Sequence, residues 1–380
     1  MHIVIAPQAL KGSLTAAEAG QAIAAGVHDI YPAARTTMVP IADGGEGTVQ
    51  ALVDGTGGRI LQHTVTGPLH EPVPAFFGLL GDGQTAVIEM AACAGLPLVP
   101  PERRDPRVTT TYGVGELIRL ALDAGCRHFL IGIGGSATND GGAGMAQALG
   151  IHLTDAAGRE IAYGGAALAS LAHISLAELD PRLAECRFEV ACDVTNPLCG
   201  PEGAAAIYGP QKGATPAMIQ ELDSALGHFA HIIEQDLATS VADIPGAGAA
   251  GGLGAGLLAF LHATLRPGAQ IVFETTHLSE HLQSADLLIT AEGQIDSQTA
   301  YGKSVGAVAQ QAQRHQVPVL ALAGSLGADY QAVYELGIDA VAVLPSGPMT
   351  LEHAMTHAAA LTRDTTARAL RLLQLGQRLR

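Results

Sequence analysis

Glycine-rich turns carry most of the residues that could do chemistry in this sequence. The richest turn, at 132–145, reads GIGGSATNDGGAGM and follows the apolar run His128–Ile131, which predicts a buried strand. A helical pattern resumes at Gly144. Glycines let the backbone approach a ligand closely, and the N–H groups at a helix start favour an anion, so the turn predicts a phosphate site. The polar side chains of this turn are Ser136, Thr138, Asn139 and Asp140.

Acidic residues recur beside the other polar turns. These turns hold Asp43 with Glu46, Asp193 with Asn196, and Glu292 with Asp296. Mg²⁺ takes oxygen ligands and can bridge carboxylates and nucleotide phosphates. The set therefore indicates phosphoryl transfer, in which a positioned hydroxyl, a carboxylate that takes its proton and nearby cations are needed. Each carboxylate alone is explained as well by helix capping or turn formation.

Two further motifs resemble phosphate-binding loops by their letters. The run 246–251 fits G-x-G-x-x-G, but no strand precedes it, so we interpret it as a close-packed glycine loop before a helix at Leu257–Leu261. Gly302, Lys303 and Ser304 resemble the end of a P-loop, yet Ser297 stands where that motif needs glycine. Lys303 is then either a lysine near a bound phosphate or an ordinary solvated side chain.

A second class of function competes with phosphoryl transfer. The run 132–137 also fits the G-x-G-x-x-A variant of the dinucleotide fingerprint, and Asp155 lies roughly where a ribose-binding acid is expected. An NAD(P)-dependent oxidoreductase of a small hydroxy acid is therefore an alternative. Asn139 and Asp140 count against it, because a dinucleotide fold uses backbone groups at that helix start.

Composition excludes several kinds of partner. The formal net charge of −16 disfavours nucleic acids and anionic membranes, which bind basic surfaces, but permits a small phosphate ligand. The cysteines are odd in number and lack C-x-x-C spacing, which favours reduced thiols over disulfides or structural zinc. The chain begins with an apolar strand pattern and contains no run of membrane-spanning length, so we expect a soluble, cytoplasmic protein. The cysteines are Cys93, Cys126, Cys186, Cys192 and Cys199.

The predicted elements place the polar turns at one edge of a parallel sheet. Thr15 and Glu18 form a capping box that begins a helix between the first two strands. In such a sheet ligands bind outside the carboxyl ends of the strands, so Lys11, Asp43 and Glu46 are expected at that edge. The candidate parallel strands are 2–6, 36–41, 128–131, 286–290, 317–323 and 339–344.

Between these strands the sequence changes character. Residues 58–93 alternate in polarity with prolines, which predicts antiparallel strands, and 151–283 is loop-rich. We therefore predict an α/β fold: a doubly wound parallel sheet of about six strands with a second α/β domain inserted. The predicted domains are 1–57 with 108–150 and 284–380, and 58–107 with 151–283.

Eight motifs in order give the chain a resemblance to the bacterial type I glycerate kinases. The motifs are IAP and LKGSLTA within Ile5–Ala16, IADGGEGT at Ile41–Thr48, GIGGSATNDGGAGM at Gly132–Met145, CDVTNPLCGPEGAA at Cys192–Ala205, YGPQKGA at Tyr208–Ala214, PGAGAAGGLGAGL at Pro245–Leu257, EGQIDSQT at Glu292–Thr299 and ALAGS at Ala321–Ser325. The resemblance implies ATP- and Mg²⁺-dependent phosphorylation of D-glycerate at the 2-hydroxyl, giving 2-phosphoglycerate. It also implies a Rossmann-like domain with an inserted α/β domain and an active site in the cleft between them.

Roles for individual residues follow as hypotheses. Asp193, after the apolar strand Phe188–Ala191, is the preferred general base for the acceptor hydroxyl. Lys11 and Lys212 are expected to meet the glycerate carboxylate or the transferring phosphate. The other substrate-binding candidates are Ser13, Asn196 and Gln211. The nucleotide candidates are Gly134, Gly135, Ser136, Thr138, Asn139 and Lys303, and the metal candidates are Asp43 and Asp296.

Two departures from the family pattern bear on the acceptor. Gln8 and Ala9 replace part of the usual APDSFKGSL, and Gln294 stands where EGRID commonly has arginine. If either position touches metal, phosphate or acceptor, the chain is expected to be slower or to take another small hydroxy acid. A non-enzymatic sugar-acid binding protein is the third hypothesis. It predicts closure on the acid without affinity for nucleotide.

Overall fold

The computed structural model describes residues 1–42, 44–297, 299 and 304–378. The candidate residues Asp43 and Lys303 therefore lie outside the described residues. The chain forms two compact units: the first comprises Met1–Asp43, Gln50–Thr56 and Val272–Arg380, and the second comprises Gly44–Val49 and Gly57–Ile271. No described helix has the length and apolar character needed to cross a membrane.

The described residues contain thirteen β-strands. They are β1 (His2–Ile5), β2 (Arg35–Met38), β3 (Arg59–Thr66), β4 (Pro72–Leu79), β5 (Thr85–Glu89), β6 (His128–Gly132), β7 (His152–Thr154), β8 (His173–Ser175), β9 (Arg187–Ala191), β10 (Thr264–Arg266), β11 (Leu287–Ile295), β12 (Val319–Leu326) and β13 (Ala340–Val343).

The same part of the chain forms thirteen α-helices. They are α1 (Ala16–Ile30), α2 (Thr48–Thr56), α3 (Ala91–Ala94), α4 (Tyr112–Asp123), α5 (Ala143–Ala148), α6 (Ala204–Tyr208), α7 (Pro216–Leu237), α8 (Leu253–Leu261), α9 (Gly268–Thr275), α10 (Leu278–Leu282), α11 (Ser304–Arg314), α12 (Leu351–Thr356) and α13 (Ala358–Arg378).

The first unit contains a parallel five-stranded sheet in the order β13-β12-β11-β1-β2. Alternate residues of β1 enter opposite cores: Ile3 and Ile5 pack with residues of α1 and α13, and Val4 packs with residues of α10 and α11. A sheet covered on both faces needs apolar residues on both sides of each inner strand, which explains the uninterrupted apolar runs. The predicted doubly wound α/β fold is confirmed. The capping box of Thr15 and Glu18 begins α1 as expected.

The second unit contains a mixed six-stranded sheet in the order β10-β9-β6-β5-β4-β3. The strands β5, β6, β9 and β10 run parallel, whereas β3 and β4 continue the sheet as an antiparallel meander. The alternating texture of residues 58–93 therefore correctly predicted antiparallel strands. The strands β7 and β8, which follow α5 in the sequence, form a separate short antiparallel pair.

Strand β6 belongs to a different sheet from the one expected. The sequence interpretation placed residues 108–150 in the Rossmann-like domain, but β6 pairs in parallel with β5 and β9, and the segment lies in the second unit. Five of the six candidate strands share the first sheet. The sixth was misplaced because its apolar run indicates burial on both faces but not which neighbours provide it.

Candidate active site

The acidic loop Gly44–Thr48 packs on the carboxyl ends of β6 and β9 in the second unit, where the glycine turn begins. An added Cβ on Gly132 would stand 2.3 Å from the carbonyl oxygen of Gly44, and one on Gly44 would stand 2.4 Å from the Cβ of Ala191. The glycines thus let the acidic loop Gly44–Thr48 pack directly on the ends of β6 and β9. The glycine turn and one of the acidic turns are therefore neighbours, as phosphoryl transfer requires.

The glycine turn after β6 donates backbone hydrogen bonds to two other segments. Ala137 N–H donates to the Ala94 carbonyl at 2.9 Å, and Gly141 N–H donates to the Gly251 carbonyl at 3.0 Å. An added Cβ on Gly251 would stand 1.9 Å from the Thr138 carbonyl oxygen. The G-x-G-x-x-G run at 246–251 is thus a close-packed glycine loop before α8, as predicted.

Exposure divides the nucleotide candidates into two groups. Gly134 and Gly135 are exposed, and Ser136 is almost buried, whereas Thr138 and Asn139 are completely buried. Thr138 Oγ1 and both amide atoms of Asn139 have no hydrogen-bond partner among the described residues. Only the first part of the turn can meet a ligand that approaches from solvent in this conformation.

Asp140 organises the turn from inside. Its carboxylate accepts hydrogen bonds from the N–H (2.8 Å) and hydroxyl (2.9 Å) of Thr111 and from the N–H groups of Gly142 and Gly144. Complete burial raises the pKa of Asp140, and the Thr111, Gly142 and Gly144 donors oppose that rise. This carboxylate stabilises the start of α5, which is the capping role that the sequence could not exclude.

Lys212 reaches the same turn from the segment between α6 and α7. Its ammonium is buried and donates to the Thr138 carbonyl at 2.7 Å. Burial lowers the pKa of Lys212 to about 7, and the negative charge of Asp140 opposes this lowering. The side chain therefore ties the loop at residues 208–214 to the glycine turn.

The loop after β9 holds the preferred general base. Asp193 is exposed, and its Oδ1 accepts a hydrogen bond of 2.9 Å from the N–H of Gly268 at the start of α9. Asn196 donates to the Glu202 carbonyl at 2.8 Å and accepts from the Tyr208 hydroxyl at 2.6 Å, so both ends of its amide shape this loop. Gln211 is exposed.

The first unit gathers a separate set of candidates at the ends of its strands. Lys11 is exposed in the tight turn between Leu10 and Leu14, and Ser13 Oγ donates to the Leu10 carbonyl at 2.9 Å. Gly293 of β11 lies beside the backbone of Lys11. The turn and the end of β11 are thus neighbours, as a parallel sheet predicts.

Two carboxylates at the end of β11 offer hard oxygen donors. Glu292 accepts a hydrogen bond of 3.2 Å from the Thr299 hydroxyl, and Asp296 follows directly after the strand. No group of three or more His, Cys, Asp or Glu side chains suited to a metal occurs within the described ranges. Mg²⁺ in kinases commonly needs only one or two carboxylates, because substrate phosphates and water complete its shell. The donor chemistry therefore fits magnesium.

Sequence reasoning missed one buried carboxylate of the site. Glu89 is the last residue of β5, pairs in register with Gly132 and accepts a hydrogen bond of 2.7 Å from Val49 N–H. Burial raises its pKa, while backbone hydrogen bonds from Gly47, Thr48 and Val49 lower it. The sequence did contain a signal for Glu89, because it is an acidic residue at the end of an apolar run. Asp193, which closely follows another apolar run, was found from the same pattern.

An α/β protein whose glycine turns and carboxylates share the carboxyl edge of parallel strands has the features of an enzyme acting on small phosphorylated or acidic molecules. Comparison with known proteins narrows this class. The model of the glycerate kinase family matches residues 3–374. The chain is 55% identical to glycerate kinase of Bacillus subtilis over 94% of both chains, and 54% identical to glycerate 2-kinase of Escherichia coli over 93% of both.

A solved structure agrees with these sequence matches. The putative glycerate kinase 2 from Salmonella typhimurium LT2 superimposes with a TM-score of 0.93 at 54% identity, covering 100% of this chain and 99% of that chain. The chain belongs to the glycerate kinase family. The resemblance drawn from the eight motifs is confirmed, and the family favours the kinase hypothesis over the oxidoreductase and the binding protein.

Proposed function

We propose that this chain transfers the terminal phosphoryl group of ATP to the 2-hydroxyl of D-glycerate, giving 2-phosphoglycerate and ADP. The observation that carries the proposal is the meeting of the glycine turn with the acidic loop Gly44–Thr48. Relatives named glycerate kinase and glycerate 2-kinase match 94% and 93% of the chain. Both a kinase and a dinucleotide oxidoreductase need an anion cradle, but only phosphoryl transfer calls for carboxylates beside it to hold a metal ion and take a proton.

Backbone groups of Gly134 and Gly135, with Ser136, are the proposed contacts for the nucleotide phosphates. Both glycines are exposed, which supports close approach of a phosphate to the main chain. Thr138 and Asn139, predicted from the sequence for the same role, are completely buried in this conformation and are not among the proposed contacts. Lys303, which lies outside the described residues, remains a proposed phosphate contact.

Asp193 is the proposed general base. Its exposed carboxylate can accept the proton of the acceptor hydroxyl, and its bond to Gly268 N–H holds it in one orientation. Lys11, with an exposed ammonium, is the proposed partner of the glycerate carboxylate or of the transferring phosphate, and Ser13 and Gln211 are proposed to contact the acceptor. Asn196 shapes the loop that carries Asp193.

Lys212 is proposed to act on the glycine turn rather than on the substrate. Among the described residues its ammonium donates to the Thr138 carbonyl, and its burial leaves no exposed ammonium for a ligand in this conformation. Fixing the turn matters because a small misplacement of reacting groups costs a large part of the rate. Lys212 is thus a positioning residue.

Asp296 and Asp43 are the proposed ligands of Mg²⁺. When bound, the ion neutralises charge on the nucleotide phosphates as the phosphoryl group is transferred. Glu292 accepts from the Thr299 hydroxyl. This bond supports a role for Glu292 in ordering the segment that carries Asp296.

A panel of substrates tests the proposal. Purified protein is incubated with Mg-ATP and D-glycerate, then with L-glycerate or tartronate, and ADP release is followed. The same protein is incubated with NAD(H) and D-glycerate while nicotinamide absorbance is recorded. ADP release that depends on D-glycerate supports the kinase. Nicotinamide turnover without ADP release overturns it, and tight glycerate binding without either reaction supports a binding protein.

A further inference from the structure

The loop Gly44–Val49 is held at three points on the edge of the second unit's sheet. Gly44 packs on Ala191 at the end of β9, and Gly132 at the end of β6 packs on the Gly44 carbonyl. The third point is Glu89 at the end of β5, whose Oε1 accepts from Val49 N–H at 2.7 Å. Of the three, only Glu89 holds the loop through a charged side chain.

Glu89 satisfies backbone donors that the loop cannot satisfy by itself. The first N–H groups of a helix have no partner within it, and here the start of α2 receives a carboxylate from a strand far along the chain. Thr48 closes the rest of the loop, since its hydroxyl donates to the Gly45 carbonyl at 2.7 Å and accepts from Gly44 N–H at 3.1 Å. Both side chains therefore hold the loop in the conformation seen here.

The Glu89 side chain is only 6% exposed, and burying a carboxylate costs free energy. A neutral residue at this position would avoid that cost. The loop that Glu89 holds carries exposed Glu46 and follows Asp43, which is a proposed metal ligand. Gly134 of the glycine turn also packs near Gly45, so a shift of the loop would disturb the proposed phosphate contact. Glu89 therefore lies where it can fix the loop that bears Glu46 and contacts the glycine turn.

We propose that Glu89 is a positioning residue of the phosphoryl-transfer site: its carboxylate fixes the loop Gly44–Val49 against the glycine turn. This inference rests on the proposed kinase function. It assigns Glu89 no contact with substrate. Its effect is transmitted through the backbone of the loop.

A matched pair of variants separates positioning from simple stabilisation. Glu116 of α4 also accepts a backbone N–H, from Thr66 at 2.6 Å, but at the end of β3, which β4 separates from β5 in the sheet. Glu89→Gln and Glu116→Gln each weaken a carboxylate-to-backbone hydrogen bond in the same unit. Both should lower the unfolding midpoint by a few degrees, since a charged-group hydrogen bond contributes about 1.5–3 kcal/mol.

The positioning role predicts different kinetics for the two variants. For E89Q, kcat should fall by about 10- to 100-fold with the KM for D-glycerate changed less than about threefold, since misplacement by about an ångström costs up to that factor. E116Q should keep its kcat. Hydrogen exchange followed by mass spectrometry should show lost protection in peptides covering residues 44–56 for E89Q, but not for E116Q.

Each other outcome has a defined meaning. If E89Q keeps wild-type kcat while its midpoint falls as far as that of E116Q, Glu89 is only structural and the inference is overturned. If E89Q does not fold, Glu89→Asp, which keeps the charge but shortens the reach, must show the same kcat loss and loop exchange at an intermediate level. If the wild-type protein releases no ADP with D-glycerate, the proposed function fails, and the exchange experiment still reports whether Glu89 holds the loop.

Discussion

Asp140 and Asp193 each come after a strand of the same sheet, and their surroundings suit them to different roles. Asp140 is completely buried and accepts four hydrogen bonds, three of them from backbone N–H groups. Asp193 is exposed and accepts from Gly268 N–H. A carboxylate that must take a proton from a substrate has to be accessible, whereas one that caps a helix does not.

Replacing the proposed base should remove activity without unfolding the protein. Asp193→Asn keeps an oxygen for the Gly268 N–H, so the unfolding midpoint should change little. The variant cannot accept the hydroxyl proton, and kcat should fall by about 100-fold or more. Steady-state kinetics and thermal unfolding on one preparation measure both quantities. Near-normal turnover would refute the assignment.

Asp140→Asn is the contrasting variant. The amide end of the new side chain cannot accept from Thr111 or from the start of α5, and Lys212 loses its nearby negative charge. Breaking a buried charged arrangement on one side costs about 3–5 kcal/mol, so this variant should be strongly destabilised. Urea unfolding should show it, and a stability within about 1 kcal/mol of wild type would contradict the buried role.

Lys212 should make stability depend on pH in a particular direction. Its folded pKa of about 7 lies below the ordinary lysine value of 10.5, so between these limits the unfolded chain binds more protons than the folded one. Stability attributable to this residue is therefore lowest below about pH 7 and rises toward pH 10. Urea unfolding of wild type and Lys212→Met at several pH values measures the difference. The free energy of unfolding of wild type should rise relative to that of Lys212→Met as pH rises. If the two free energies change with pH in parallel, the effect is ruled out.

At the scale of elements, packed glycines bring the segments of the candidate site together. The glycine loop before α8 supports the turn after β6 so closely that Gly251 touches the Thr138 carbonyl. Strand β6 ends in Gly132, which admits the acidic loop, and β9 ends in Ala191, whose small side chain does the same. Larger residues at these positions would separate the segments that the proposed chemistry needs close together.

Two glycines with the same positive φ test this packing argument. Gly251 and Gly83 both have φ of +70°, but an added Cβ on Gly83 meets nothing within 4 Å. Gly83→Ala should cost about 1–2 kcal/mol from the left-handed backbone alone. Gly251→Ala should cost at least about 2 kcal/mol more because it forces the Thr138 carbonyl away. Urea denaturation gives both values, and equal losses would show that close packing at Gly251 is unimportant.

At the scale of the whole molecule, the sequence predicted the class of fold better than it predicted which sheet each strand belongs to. Uninterrupted apolar strands followed by glycine turns gave the doubly wound sheet, because burial on both faces leaves that pattern. The same pattern could not assign β6 to its sheet, since its neighbours β5 and β9 are chosen by contacts between distant segments. Local patterns carry periodicity but not long-range pairing.

The candidate site was predicted to a similar depth. The glycine turn and the acidic loop were proposed as parts of one site from residue types, and the structure places them side by side at one strand edge. Exposure was not predictable: Thr138 and Asn139 look like ligand contacts by composition but are buried by the glycine loop that comes much later in the chain. Glu89 was missed because its partners, at residues 47–49, are distant in sequence.

The phosphorus NMR spectrum of the reaction mixture tests the central claim most directly. Protein, Mg-ATP and D-glycerate are incubated, and the proton-coupled ³¹P spectrum of the product is recorded. We predict a new phosphate-ester doublet, because the phosphorus of 2-phosphoglycerate couples to the single proton on the carbon that bears it. A triplet would show transfer to the primary hydroxyl, and an unchanged spectrum with no new ester would contradict the claim that this chain phosphorylates glycerate.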